Sequence, residues 1–402
     1  MMAMMKYILF SFFLVIQPVA SQNIRELTAE EKVSDFTFLI ETSRYNYPYF
    51  DVYECKYGES WLSKSEFFLD RVLASRNNKE YFVLIDSIVE SLHHKHVDLA
   101  PTYHWELFRA RYGEACLMNP RYMAWVNTLD QSQNEISYWN NLVAKGERST
   151  FETKKEATYK DSLMPELKTA ILRISSFDMD NLREDSRKID EFLHLASSYN
   201  YIIIDIQGNK GGSSHYWIEG IVNRLIYRPL YFKRSFVFKN GKQNNFFFSH
   251  EETMNGNPAL LPSLPMSFQT DTFKVIEETT TFYPSLPIPF KGEILILADS
   301  KVFSAADEFT FFAQSTSWPT IVGEATGGGG IGTDPVLIRL PFSGIIIRYP
   351  ALAGLNSHGS LHSETIPDIE IKGNAPNERL CKLIDMIRLK FLRTPESLIT
   401  IN

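Results

Sequence analysis

The 402-residue chain is poor in several features that would define a protein class. Its three cysteines, Cys55, Cys116 and Cys381, are far apart and form no CxxC pair, so the sequence predicts neither a disulfide framework nor a zinc knuckle. A single disulfide between Cys55 and Cys116 is compatible with this spacing, and so are buried free thiols. The chain also lacks a basic run and has a net charge of -7. Because nothing in it would neutralise a row of phosphates, we expect no nucleic-acid partner.

Long apolar runs are also scarce, and the one at the N-terminus is short. Lys6 precedes an apolar stretch at 7–16, Pro18 interrupts it, and small residues follow at Val19-Ala20-Ser21. This order is typical of a secretory signal peptide, which we place at residues 1–21. The stretch is about half the roughly 20 residues that a spanning helix needs. We therefore expect no stable membrane span and an exported protein, periplasmic or extracellular.

The pattern of apolar residues divides the mature chain into three parts. Residues 22–99 have helical spacing, beginning at Thr28 with an N-cap pattern, and predict an N-terminal helical subdomain. Residues 100–166 form a linking or inserted region whose fold the pattern does not predict. Residues 167–390 alternate strand and helix, which indicates an α/β core domain. Within it, 231–248 predicts a hairpin turning at Asn240-Gly241, and 255–290 predicts a surface excursion.

Three local patterns in the chain contain residue types that are used in catalysis or binding. Ser304 follows a predicted buried strand at 294–298 and opens a helix, where backbone N–H groups favour negative charge. A serine there is either a nucleophile or a helix cap. Residues 208–212, Gly-Asn-Lys-Gly-Gly, follow a strand and form either half of an oxyanion hole or a plain turn. The histidines of 93–96 provide a general base, a metal site or a solvated helix end.

Taken in order, these patterns resemble the C-terminal processing (tail-specific) peptidase family. The matching segments are Ile204-Asp205 with the glycines to Gly212, Phe303-Ser304-Ala305-Ala306-Asp307-Glu308, Val322-Gly323-Glu324-Ala325-Thr326-Gly327-Gly328-Gly329, 172–177 and 366–371. The resemblance covers roughly residues 84–371. It implies an α/β core of the crotonase and Clp-protease type and a serine-type endopeptidase.

The resemblance also implies a choice of general base. One branch of the family places a lysine in the glycine-rich loop, but Gly327 to Gly330 contains none. A branch resembling the tricorn core protease uses an upstream histidine, which corresponds to His96 here, with His93 and His94 as alternatives. In that branch a carboxylate orients the histidine, and Glu364 is the nearest candidate. His358 and His362 are possible substitutes for it.

The implied mechanism is acyl transfer to Ser304, with His96 moving the proton. We expect the oxyanion to be held by the N–H groups of Ala305 and of a glycine in the loop, Gly211 in the first place and Gly212 beside it. No metal or organic cofactor is implied, and the partner is a polypeptide substrate. The alternative is a catalytically inactive member of the fold that binds a peptide, lipid or glycan.

Overall fold

The computed structural model describes residues 25–100, 105–144, 158–248, 256–285, 287–288 and 290–392. The predicted signal peptide, residues 1–21, lies outside the described residues. No helix in the described ranges is both long enough and apolar enough to cross a bilayer.

The N-terminal part of the described chain is helical, as predicted. It contains α1 (Ala29–Asn46), α2 (Phe50–Tyr57), α3 (Ser65–Ala74) and α4 (Asn78–Glu90), followed by the short strand β1 (Asp98–Leu99). Thr28 caps α1, because its side chain accepts from the Glu31 N–H while the Glu31 side chain accepts from the Thr28 N–H. The apolar face of α4 is buried. These helices share one hydrophobic cluster with the strands that follow, so the division into subdomains stays a prediction.

In the described part of residues 100–166, whose fold the sequence did not predict, three helices continue the helical layer and a strand follows them. The helices are α5 (Trp105–Met118), α6 (Met123–Asp130) and α7 (Gln133–Ala144), and the strand is β2 (Tyr159–Met164). Two buried indoles connect this layer to the rest of the protein. Trp125 Nε1 donates to the Pro335 carbonyl at 2.8 Å, and Trp139 Nε1 donates to the Ser343 carbonyl at 2.8 Å.

The remaining elements combine strands and helices. In chain order they are β3 (Thr169–Ile174), α8 (Met179–Ala196), β4 (Tyr201–Asp205), α9 (Ser214–Trp217), α10 (Asn223–Leu225), β5 (Leu230–Lys239), α11 (Lys242–Phe248), β6 (Phe273–Phe282), β7 (Glu293–Ala298), α12 (Ala305–Thr316), β8 (Thr320–Gly323), β9 (Val336–Arg339), β10 (Ile346–Tyr349), β11 (Leu352–Leu355), β12 (Ile369–Glu370) and α13 (Pro376–Leu392). The fold is therefore mixed α/β, as expected.

The main sheet has six strands in the order β12-β8-β7-β4-β3-β2, all parallel except for the β2–β3 pair. Both faces are covered, which explains the continuous apolar run of β4. Ile202 and Ile204 lie in the cluster that contains α8 and α12, whereas Ile203 lies in a second cluster with Leu383 and Ile387 of α13.

Two smaller antiparallel sheets, β11-β5-β6 and β1-β10-β9, complete the fold and correct two predictions. The hairpin prediction at 231–248 is wrong, because β5 pairs with β6 and residues 242–248 form α11. Phe247 and Phe248 are buried in α11, and the Phe247 ring lies 4.6 Å from that of Trp125. The surface excursion predicted for 255–290 is wrong for the same reason, since it contains β6.

The topology of the main sheet brings three connecting loops together. Strands β4, β7 and β8 are neighbours and parallel, with Asp205 beside Leu297 and Ala298 beside Gly323. Their carboxyl ends therefore open onto the same edge, which is where open α/β sheets form their sites. The glycine loop, the turn to Ser304 and the loop at 324–330 follow these three ends.

Candidate active site

Ser304 occupies a tight turn between β7 and α12 with an unusual backbone conformation. Its φ of 57° and ψ of -130° lie in a region that non-glycine residues rarely adopt. Such a conformation costs about 1–3 kcal/mol and persists where the surroundings hold it in place. The Ser304 N–H donates to the Gly328 carbonyl at 3.1 Å, and the Ser304 carbonyl accepts from the Glu308 N–H at 2.9 Å. The Ser304 side chain makes no capping hydrogen bond, so the helix-cap alternative does not describe it.

The glycine loop after β4 lies directly against this turn. A Cβ atom on Gly211 would lie 2.9 Å from the Ala305 nitrogen and 2.9 Å from the Ser304 Cβ, and Gly211 has a φ of 94°. A Cβ atom on Gly212 would overlap the Phe177 carbonyl. Only glycine therefore permits this approach of the two backbones.

The N–H groups available to hold an oxyanion differ in one residue from those that the sequence predicted. The Gly211 N–H donates to Asn209 Oδ1 at 2.8 Å, so it is already used. Among the described residues, the hydrogen bonds include none donated by the Ala305 or Gly212 N–H. The Ala305 and Gly212 N–H groups are thus without an acceptor among the described residues, and Gly211 leaves room beside them.

The three histidines of 93–96 lie in different environments. His93 is exposed, with its ring centroid 5.2 Å from that of Tyr57. His94 lies inward against Tyr49, and its Nδ1 accepts the His96 N–H at 3.2 Å.

Of the three, His96 is the one beside the turn to Ser304. Its ring lies 4.6 Å from the ring of Phe303, and its Cε1 lies 3.1 Å from where a Cβ on Gly329 would be. Among the described residues no hydrogen bond joins His96 to Ser304. The two are thus brought into one neighbourhood but not into direct contact.

Strand β1 explains how a histidine so early in the chain arrives here. Asp98 and Leu99 pair with β10, and Asp98 receives two hydrogen bonds from Arg348, at 2.8 and 2.9 Å. A paired carboxylate and guanidinium of this kind fix orientation as well as distance. The residues before β1 are therefore anchored, and Lys95 Nζ reaches the Gly327 carbonyl at 3.3 Å.

The surroundings of His96 favour its neutral form. Burial, followed by the charges of His94, Arg348 and Lys95, lowers its pKa to about 3. Burial and Lys95 lower the pKa of His94 to about 4. A neutral imidazole is the form that accepts a proton, although the lowered pKa also makes His96 a weaker base.

Among the described residues, none of the candidates near the C-terminus is hydrogen-bonded to His96. Glu364 and His358 are exposed. The side chain of His362 is 3% exposed, and its Nε2 lies 3.1 Å from Asp307 Oδ2 rather than beside His96. Asp307 is thus a buried carboxylate of this region. The sequence pattern gave it no role, although its position three residues after Ser304 places it in the same helical turn.

Two further carboxylate networks hold the loops in place, and neither was predicted. Arg379 of α13 donates to Asp299 Oδ2 at 3.0 Å, to Glu324 Oε1 at 2.9 Å and to Gln207 Oε1 at 2.7 Å. These acceptors follow β7, β8 and β4 respectively, so one guanidinium connects the three strand ends.

The second network surrounds Glu308, one turn after Ser304 in α12. Its carboxylate accepts from Arg234 at 2.6 Å and from the Ser214 hydroxyl. Burial raises the pKa of Glu308, while Arg234 and Ser214 oppose that shift. The contact connects the start of α9, directly after the glycine loop, to α12. In the part of the chain that the structure describes, no group of three or more His, Cys, Asp or Glu side chains is arranged to hold a metal ion.

Comparison with known proteins places this arrangement among peptidases. A family model described as peptidase family S41 matches residues 168–371. A crystal structure of a protein from Parabacteroides merdae is similar, with a TM-score of 0.54 and 15% identity over 89% of this chain and 96% of the other. Mature CPAF has a TM-score of 0.53 and 13% identity over 90% of this chain and 97% of its own. At these identities the structural similarity shows the fold.

Proposed function

Because the chain belongs to peptidase family S41, and so to a family of serine peptidases, we propose that it hydrolyses polypeptides through Ser304 with His96 as the general base. The observation that carries this proposal is the strained turn at Ser304. There the nucleophile, the unused N–H groups of Ala305 and Gly212, and the histidine beside Phe303 lie at one edge of the sheet.

The proposed first step is attack of Ser304 Oγ on a peptide carbonyl. His96, neutral because of its lowered pKa, takes the hydroxyl proton and then donates it to the leaving amine. The Ala305 and Gly212 N–H groups stabilise the tetrahedral oxyanion. Water then hydrolyses the acyl-enzyme, and His96 again accepts and returns the proton.

The orienting role of Glu364 is part of the same proposal. Its backbone nitrogen lies 3.7 Å from where a Cβ on Gly328 would be, and Gly329 is next to His96. The exposed Glu364 side chain is thus on a segment that packs against the loop beside the histidine. We expect it to reach His96 when a bound peptide excludes water.

Several finer features complete the proposal. Cleavage within chains, as by an endopeptidase, is supported by the resemblance of the sequence motifs to the tail-specific peptidases. Export to the periplasm or outside the cell is supported by the signal pattern of 1–21. A crotonase or Clp-protease type of core is supported by the largely parallel six-stranded sheet, covered on both faces.

The decisive experiment is labelling of the protein with a serine-reactive fluorophosphonate. We expect the wild type to be labelled and Ser304→Ala to be unlabelled, because the probe forms its bond with the nucleophile. Ser300→Ala is the matched control, since Ser300 is an exposed serine in the same turn, and it should be labelled like the wild type. His96→Ala should label about 100 to 10,000 times more slowly, which is the usual contribution of a general base.

Each unexpected labelling result contradicts a different part of the proposal. A wild type that does not label favours the inactive binding protein over the peptidase. Labelling of Ser304→Ala would show that another serine reacts. Wild-type labelling of His96→Ala would remove the base assignment alone.

A further inference from the structure

Asp307 is a buried carboxylate that the proposed reaction does not use. It lies in the first turn of α12 and is 0% exposed. Four donors converge on it: Thr326 Oγ1 at 2.5 Å, the Gly330 N–H at 2.8 Å, Thr365 Oγ1 at 3.0 Å and His362 Nε2 at 3.1 Å. One carboxylate therefore connects α12 to the loop at 326–330 and to the segment at 362–365.

The loop at 326–330 is the same loop that holds the nucleophile. Gly328 lies between the two loop residues that bond to Asp307, and its carbonyl accepts the Ser304 N–H at 3.1 Å. A Cβ on Gly328 would overlap the Ser363 carbonyl, so the two segments are in close contact at this point. Since Ser304 has a φ of 57°, its conformation persists only while such neighbours hold it.

The loop also contacts the proposed base. Gly329 follows Gly328, and a Cβ atom on it would meet the Phe303 ring and His96 Cε1. A shift of this loop would thus move the backbone partner of Ser304 and the contact surface of His96 together.

Because Asp307 is buried, the stability of its charge depends on the groups that bond to it. Burial opposes ionisation, but the hydrogen bond and charge of His362, together with Thr326 and Gly330, outweigh it and lower the pKa of this carboxyl. Removing a partner from a buried charge leaves that charge uncompensated, and the surrounding structure rearranges. The neighbouring Glu308 is a second acid and gives no compensation.

We propose that Asp307 and His362 are positioning residues for the nucleophile. They keep the loop at 326–330 against the turn, so that Ser304 retains its strained conformation and His96 its place beside Phe303. This inference rests on the proposed function, because it requires Ser304 to be the reactive serine.

The test measures the second-order rate constant of fluorophosphonate labelling, not the final amount labelled. An irreversibly unfolded fraction lowers the final amount, whereas a misplaced nucleophile lowers the rate constant of the folded molecules. We expect Asp307→Asn and His362→Leu to label about 10 to 100 times more slowly, as small misplacements of reacting groups do. His362→Gln retains an N–H donor at similar reach and should recover most of the rate.

A matched control is Asp35→Asn. Asp35 is also 0% exposed and accepts two hydrogen bonds, from the Phe342 and Ser343 N–H groups, in the helical part of the protein. The Asp35→Asn substitution should lower the melting temperature without changing the labelling rate constant. If Asp307→Asn does not fold, Thr365→Val, which removes one donor at constant shape, replaces it and should also label more slowly.

The outcomes separate the two proposals. If the wild type labels and Asp307→Asn, or Thr365→Val in its place, labels at the same rate, the positioning role is wrong and the peptidase proposal stands. An equal loss in His362→Gln and His362→Leu would also overturn it, because the donor would not be what matters. An unlabelled wild type would overturn the proposed function itself.

Discussion

At the scale of single residues, the site depends on how closely two backbones approach. Gly211 and the turn from Phe303 to Ala305 are in contact, and a side chain on Gly211 would point at the Ala305 nitrogen. Glycine is therefore required at this position because the absence of a side chain leaves space for the backbone of the turn. Its own N–H is already used by Asn209.

This contact predicts the effect of Gly211→Ala. The added methyl would lie 2.9 Å from the Ala305 nitrogen and from the Ser304 Cβ, so it blocks one oxyanion donor and displaces the nucleophile. We expect fluorophosphonate labelling to slow by about 100-fold, the usual effect of losing one donor.

Gly208→Ala is the matched control for this substitution. Gly208 also has a positive φ, 77°, but no atom lies within 4 Å of its missing Cβ. It has comparable backbone strain without the contact and should retain the labelling rate. Equal losses in the two variants would show that strain in the loop, not occlusion of the donor, is responsible.

At the scale of elements, the site exists because α13 connects the ends of three strands. Arg379 is 5% exposed and Asp299 is 2% exposed, so their ion pair is shielded from water. Asp299 in turn accepts from the Gly208 N–H at 2.9 Å and from the Lys301 N–H at 3.1 Å. The glycine loop and the turn to Ser304 are thus fixed through one carboxylate.

Arg379→Ala should destabilise the protein by about 3–5 kcal/mol, because it leaves the buried Asp299 carboxylate without its partner. Denaturant unfolding followed by circular dichroism measures this free energy. The control is Arg388→Ala on the same helix, where the pair with Asp385 is exposed and contributes at most about 1 kcal/mol. A loss below that of the control would contradict the connecting role of Arg379.

At the scale of the whole molecule, the buried histidines connect stability to pH. His96 and His94 have folded-state pKa values of about 3 and about 4, both below the ordinary value of 6.5. Between these values and pH 6.5 the unfolded chain binds more protons than the folded protein. Stability therefore falls as the pH is lowered through 6.5, and it continues to fall until the folded-state pKa values are reached.

We expect the free energy of unfolding to decrease from pH 7 to pH 5, by at most about 1.4 kcal/mol per pH unit for each histidine. Urea unfolding at a series of pH values measures the slope. The double variant with His94→Gln and His96→Gln should have a shallower slope than the wild type. The same slope in both proteins would show that these two histidines are not held neutral by the fold.

Local chemistry made part of this structure predictable from the sequence. The cap at Thr28 and the buried strand at 294–298 depend on neighbouring residues or on a short period, and both were predicted correctly. The hairpin at Asn240-Gly241 failed because the partner of β5 is distant in the chain. An Asn-Gly pair indicates a turn, but it does not determine whether a strand or a helix comes after that turn.

The sequence by itself determined the identities and the order: a serine after a buried strand, a glycine loop after another, a glycine-rich loop without lysine, and a histidine far upstream. Only the tertiary structure decided which of these meet. Parallel pairing of β4, β7 and β8 brings the three loops to one edge, and β1 brings His96 beside Phe303. The tertiary structure also decided that Asp307 takes His362 as its partner. Such contacts depend on strand order and burial, which no local pattern encodes.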